Sequence, residues 1–174
     1  MDGHSMGRIA IISDIHANFF ALQAVLDDIE NKQVDEIFCL GDLVGYGSMP
    51  NECVSEIRNR KITCLLGNHD SYLLGYSTCE RSHVVNQIIQ RHSLEVSDKN
   101  KNWLSNLKSS HRFHDLQFFH GGPRDETDQY IYKVSQTLFS DLNPQIKKLV
   151  CGHTHVQAIF NMSEFTFLNP GSVG

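Results

Sequence analysis

The sequence predicts an α/β domain with helices flanking two sheets. Two observations carry that prediction. Short β-branched apolar runs alternate with stretches whose apolar residues recur every three or four positions. The first half also reads β-α-β-α-β, the order that helical crossovers between neighbouring strands produce. Composition agrees: of 174 residues, 40% are hydrophobic and 20% charged, the make-up of an ordinary globular chain. A chain this long buries roughly 70% of its unfolded surface, so one core suffices without a disulfide or metal staple.

The elements follow in order. Residues 8–13 (Arg-Ile-Ala-Ile-Ile-Ser) form a continuous apolar run, as in a strand covered on both faces. Asn18 caps the next helix, where Phe20, Leu22, Val25, Leu26 and Ile29 fall at helical spacing. Residues 36–40 give the second strand and run into Gly41-Asp42. Pro50 opens a second helix through Ile57. Residues 61–66 give a third strand, ending in Gly67-Asn68-His69-Asp70. Residues 82–92 and 99–107 predict two further helices, and residues 111–114 and 116–120 a tight hairpin around Asp115. Residues 134–142 predict one more helix. Residues 148–151, 157–162 and 165–169 predict three strands, the last two joined at Ser163-Glu164. No repeat or linker interrupts residues 7–174, which read as a single domain. Residues 1–6 (Met1-Asp2-Gly3-His4-Ser5-Met6) precede a natural start at Met6 and read as a foreign leader, so His4 receives no function.

The 15 Lys+Arg against 20 Asp+Glu leave a net charge of −5. That argues against a broad nucleic-acid-binding face, which shows as a basic domain. The longest apolar runs fall far short of the ~20 residues of a membrane span. Cys39, Cys53, Cys64, Cys79 and Cys151 are odd in number, lack CxxC spacing and include three inside apolar runs. They read as reduced thiols in a reducing compartment, which places the protein in the cytoplasm.

Polar residues gather just after strands. Asp14 and His16 follow the first, Asp42 the second, and Asn68, His69 and Asp70 the third; His120 closes a later strand, and His153 and His155 follow another. Ligand sites in α/β sheets lie beyond the carboxyl ends of strands, where residues distant in sequence meet. Each motif alone reads equally well as a turn. Together they form a mixed oxygen and nitrogen donor set, suited to Mn²⁺, Fe²⁺, Co²⁺ or Zn²⁺. Asp14, His16, Asp42, Asn68, His120, His153 and His155 are too many for one open site and enough for two ions if one carboxylate bridges. Two such ions favour in-line phosphoryl displacement and leave about +2 of local charge against the two aspartates. The expected partner is therefore a small phosphate ester and not a membrane. Nucleic acid enters as a substrate at most, and the sequence leaves self-association open. His83, His92, His111 and His114 read as surface or structural residues.

Six segments carry a family resemblance: Ser13-Asp14-Ile15-His16, Gly41-Asp42-Leu43-Val44-Gly45-Tyr46-Gly47, Leu66-Gly67-Asn68-His69-Asp70, His120-Gly121, Gly152-His153-Thr154-His155 and Asn169-Pro170-Gly171-Ser172. In this order they resemble the calcineurin-like metallophosphoesterase superfamily, above all its small bacterial and archaeal phosphodiesterase branch. The resemblance implies a four-layer α-β-β-α sandwich of two mixed sheets with a dinuclear centre at one end. It implies that Asp14, His16 and His155 hold one divalent ion, that Asn68, His120 and His153 hold the other, and that Asp42 bridges both. Manganese comes first, with iron, zinc, nickel or cobalt as alternatives. His69 would stabilise developing charge or protonate the leaving oxygen, and Asp70 would orient His69 or its loop and favour its imidazolium.

The implied activity is hydrolysis of phosphodiesters, with phosphomonoesters as an alternative, by a metal-bridging hydroxide. A non-enzymatic binding module and a nuclease are the rival readings. Ala17 stands where many members carry Gly. The chain ends at Gly174 where many members continue through further strands, implying either a shortened form or a smaller second sheet.

Overall fold

The computed structural model describes residues 7–140 and 142–174; the leader expected at 1–6 lies outside the described residues. β1 (Ile9–Ile12), β2 (Glu36–Cys39) and β3 (Thr63–Cys64) form a wholly parallel sheet in the order β1-β2-β3. β4 (Ser110–Phe113), β5 (Leu116–Phe119), β6 (Lys148–Cys151), β7 (Ala158–Met162) and β8 (Phe165–Asn169) form a mixed sheet ordered β4-β5-β6-β8-β7. The expected hairpin is present, with Phe113 opposite Leu116.

Side-chain alternation along the strands sorts residues into layers. On one face of the first sheet, Ile12 and Cys39 join the helices in a core with Leu22, Leu26 and Ile57. These helices are α1 (Phe19–Asn31), α2 (Pro50–Asn59), α3 (Asn68–Leu73), α4 (His83–Glu95) and α5 (Asp98–Leu104). On the other face, Phe38 and Leu40 meet Leu116, Phe118 and Val150 of the second sheet. Phe38 stacks on Phe118 with ring centroids 4.8 Å apart. A third cluster covers the outer face of the second sheet, where Phe139 stacks on Phe165.

Caps fall where the sequence places them. Asn18 Oδ1 accepts from the Ala21 N–H at 3.2 Å, and Ser82 Oγ from the Val85 N–H at 3.3 Å. Phe20 breaks the expected pattern: it sits two residues before Leu22, off the buried stripe of Leu22, Leu26 and Ile29, and is exposed. The third strand is shorter than expected because the backbone changes partner. Leu65 N–H still donates to the Cys39 carbonyl, while Leu66 N–H donates to Lys108 across to the other half of the molecule.

The helix expected over 134–142 is also corrected. Among the described residues that stretch holds only a 3-10 turn, Gln136–Leu138. Its hydroxyls compete with helical hydrogen bonding: Ser135 Oγ pairs with Thr137 Oγ1, and Ser140 Oγ donates to the Thr137 carbonyl. α3 was not expected at all. Its six residues, Asn-His-Asp-Ser-Tyr-Leu, are too few to show an apolar period.

Candidate metal centre

Strand register brings the predicted ligands level. Ile12 pairs with Cys39, so Asp14 and Asp42 emerge two and three residues beyond the same rung. Phe119 pairs with Cys151, so His120 and His153 emerge one and two residues beyond theirs. Asn68 and His69 open α3, which begins four residues beyond the end of β3. The Asp14 loop is tied to its neighbour, with the Ile15 and His16 N–H groups both donating to the Asp42 carbonyl at 2.9 Å. Asn169, at the end of β8, braces the histidine loop by donating to the Gly152 carbonyl at 2.8 Å. Ser172 Oγ donates to the Asp14 carbonyl at 2.8 Å.

The result is a buried cluster. Three groups bring potential ligand atoms within 4.8 Å of one another: Asp14, His16 and His155; His16, Asp42 and His69; and Asp42, His120 and His153. Asn68 joins the last, its Oδ1 lying 3.0 Å from His120 Nε2. All seven predicted ligands therefore converge, and only His155 is substantially exposed. Several hold left-handed backbones: Asp14, His16, Asp42, His153 and His155 have φ between 50° and 65°, as does Ala17 at 55°. A non-glycine residue there costs about 1 kcal/mol or more, so surrounding hydrogen bonds must enforce it.

The tautomers fit a cation. His16 Nδ1 lies 3.1 Å from the Val44 carbonyl, and His120 Nδ1 3.0 Å from that of Leu40. A carbonyl only accepts, so each Nδ1 carries the proton and each neutral ring turns the Nε2 lone pair inward. There His16 Nε2 faces His155 Nε2 at 3.0 Å, and His120 Nε2 faces Asp42 Oδ2 at 3.3 Å. Asp14 Oδ1, His69 Nδ1 and His153 Nε2 are buried without any hydrogen-bond partner. Converging acceptors with no donor between them require positive charge, supplied by protons or by metal ions.

Ionisation shows the same demand. Burial opposes charge on His120, yet Asp42 and Asp14 outweigh it and raise its imidazolium to about 10. The Asp14 carboxylate, with Oδ1 3.2 Å from His155 Nε2 but without hydrogen-bond geometry, raises His155 as well. Burial dominates at His69 and pushes it down to about 4. Asp70 does not reverse that. Its oxygens accept instead from the N–H groups of Asp42, Leu43, Val44 and Gly67 at 2.9–3.3 Å. Burial and the charge of Asp42 push the Asp70 carboxyl up to about 7, while these four donors favour its ionised form. Asp70 thus ties together the loops on which His69 sits.

Gly45 makes room for the His69 ring. Its backbone is left-handed at φ 95°, and a Cβ there would overlap His69 Nδ1. Gly45→Ala is expected to cost ~2 kcal/mol of stability through overlap and a disfavoured backbone. A fall in the urea midpoint at unchanged m-value checks it.

The sequence and the fold both match proteins of known family. The sequence profile described as the calcineurin-like phosphoesterase superfamily domain matches residues 8–174. The chain belongs to that superfamily. A crystal structure of a metallophosphoesterase from Sphaerobacter thermophilus is 31% identical with a TM-score of 0.80, over 97% of this chain and 77% of that one. A symmetrical bis(5'-nucleosyl)-tetraphosphatase of Glaesserella parasuis is 30% identical over 68% of this chain and 46% of that protein. An uncharacterized protein of Methanocaldococcus jannaschii is 58% identical over 67 residues, 38% of this chain and 28% of that one. The chain thus spans less than half the length of these two curated relatives.

Within the superfamily fold, the structure adds residues that the motifs did not single out. Asp128 Oδ1 lies 3.1 Å from His153 Nε2, without hydrogen-bond geometry, and its carboxylate also pairs with Arg81 and accepts from the Tyr72 hydroxyl. Tyr130 lies against the His153 ring, centroids 3.9 Å apart. His92 proves to be buried and structural: its Nδ1 accepts from the Gly45 N–H and its Nε2 donates to the Gly47 carbonyl. No local pattern marks these residues, because loops from separate parts of the chain bring them together.

The raised His120 also predicts a pH dependence for the metal-free protein. A folded value above the unfolded 6.5 stabilises fully below 6.5, and the benefit is lost as pH rises through about 10. In EDTA, the melting temperature is expected to fall between about pH 7 and 10. Buried Cys53, pushed up to about 12, adds a decline of the same sign at the alkaline end. Melting His120→Asn in parallel isolates the histidine contribution, since that variant should lose the earlier part of the decline.

Proposed function

We propose that residues 7–174 act as one metal-dependent phosphodiesterase domain for small phosphate esters. In this reading Asp14, His16 and His155 hold one divalent cation, Asn68, His120 and His153 hold a second, and Asp42 serves both. Manganese is the first choice, since carboxylate, amide and imidazole donors together suit a borderline ion. The observation that carries the reading is the set of buried, partnerless acceptors Asp14 Oδ1 and His153 Nε2 among inward-turned lone pairs. When bound, the cations neutralise phosphate charge and make water a better nucleophile. The names of the tetraphosphatase relatives support a nucleotide ester among the substrates.

The chain's own residues do the rest. The Val44 and Leu40 carbonyls hold the His16 and His120 rings in the donor tautomer. Asp42 Oδ1 accepts from the His69 N–H at 2.8 Å, fixing the start of α3 beside the cluster. His69, neutral at pH 7, offers a ring N–H to an oxygen of the ester as negative charge builds there. Tyr46, His16 and Tyr72 pack around its ring and limit water. The five free, buried cysteines support a reducing compartment, the cytoplasm. Among the described residues, no helix is long and apolar enough to cross a membrane.

Elemental analysis of the purified protein, with turnover of bis-p-nitrophenyl phosphate and p-nitrophenyl phosphate, tests this function. Bound transition metal and faster turnover of the diester are expected. No turnover of either ester with Mn²⁺, Co²⁺, Ni²⁺ or Zn²⁺ overturns it.

A further inference from the structure

A cleft of about 610 Å³ opens beside the cluster, on the side of His16 and His155, with Phe20, Tyr46, Ser48 and Met49 among its other walls. That volume lies within the usual range for small-molecule sites. Its walls contain no Asp, Glu, Lys or Arg. Two of its aromatic side chains are conspicuously wet: Phe20 is 73% exposed and Tyr46 54%. Neither exposure serves the core, because Phe20 lies off the buried stripe of α1.

Tyr46 is held in place. Its backbone is left-handed at φ 52°, between two glycines that His92 ties together through the Gly45 N–H at 3.2 Å and the Gly47 carbonyl at 3.0 Å. Gly47 N–H also donates to the His16 carbonyl at 2.9 Å. One edge of the Tyr46 ring rests on His16 and His69, with centroids 4.6 and 4.9 Å away. A rigid aromatic platform therefore adjoins the proposed phosphate locus, and a second aromatic side chain lines the same cleft. Exposed Phe and Tyr walls suit a flat, uncharged heteroaromatic ring, which stacks regardless of its hydrogen-bonding edge.

We propose that this cleft binds the nucleobase of a nucleoside phosphate ester, with Phe20 and Tyr46 as its stacking faces. The proposal rests on the phosphoesterase reading for its phosphate locus, and names the part of the substrate that gives specificity. His92 is a positioning residue that acts through the Tyr46 loop.

The test is equilibrium binding of AMP and of ribose 5-phosphate to the Mn²⁺-treated protein, with phosphate release followed in the same samples. AMP is expected to bind about tenfold or more tightly than ribose 5-phosphate. Phe20→Ala should lower that ratio about threefold or more, and Phe20→Trp should preserve it. Phe20 is exposed, so both variants are expected to fold. Equal affinities in the wild type, or an unchanged ratio in Phe20→Ala, overturn the proposal. Absence of turnover on every ester overturns the phosphoesterase reading instead, because the ratio is read at equilibrium without any reaction.

Discussion

Asp42→Ala is expected to empty the cluster of transition metal and abolish phosphoester turnover. Among the described residues, Asp42 is the one carboxylate that belongs to two of the convergent groups, those with His16 and His69 and with His120 and His153. Loss of a hydrogen-bond partner behind a ligand costs 10–100-fold in metal affinity, so loss of a shared ligand should exceed ~100-fold. Two complications need control. The alanine would remove the acceptor for the His69 N–H, and it would leave the charged form of His120 without its nearest counter-charge. Asp42→Asn keeps the volume and an acceptor oxygen while removing the charge. Both variants should therefore lose metal by elemental analysis, while Asp42→Asn stays closer to the wild type in thermal unfolding. Full metal content in either variant would refute the shared role.

His69→Ala is expected to keep its metal and lose turnover by ~100-fold, the usual effect of removing one donor to developing charge. Its Nδ1 is buried and unpartnered, and the neighbouring candidate ligands His16 and His120 are held by carbonyls that the substitution does not touch. Metal analysis and kcat on the same preparation check both halves. Metal loss matching that of Asp42→Ala would make His69 a ligand.

Legibility in the sequence followed the range of the interactions. The ligands were visible because each sits at a strand end, and strand ends show as the close of a β-branched run. Parallel register then did what the motifs alone could not, setting Asp14 beside Asp42 and His120 beside His153. Asp70 was visible as a polar residue, but its four backbone partners were not, and they assign it to the loop and not to the His69 ring. Phe20 counted as apolar in a periodic run, although its angular position on α1 faces it outward. The stretch 134–142 had helical spacing, and the Ser140 hydroxyl bonds the Thr137 carbonyl locally instead. Asp128, Arg81 and Tyr130 carry no signature at all. Only the folded chain sets them beside His153.

The ligand cluster is divided between the two sheets. Asp14, His16, Asp42 and Asn68 come from the half built on β1, β2 and β3, whereas His120, His153 and His155 come from the half built on β5 and β6. On the proposed assignment, neither half holds a full set of donors for either ion. A gene fragment encoding one sheet would carry recognisable signature residues and no working chemistry, so recombination can pass this centre on only whole.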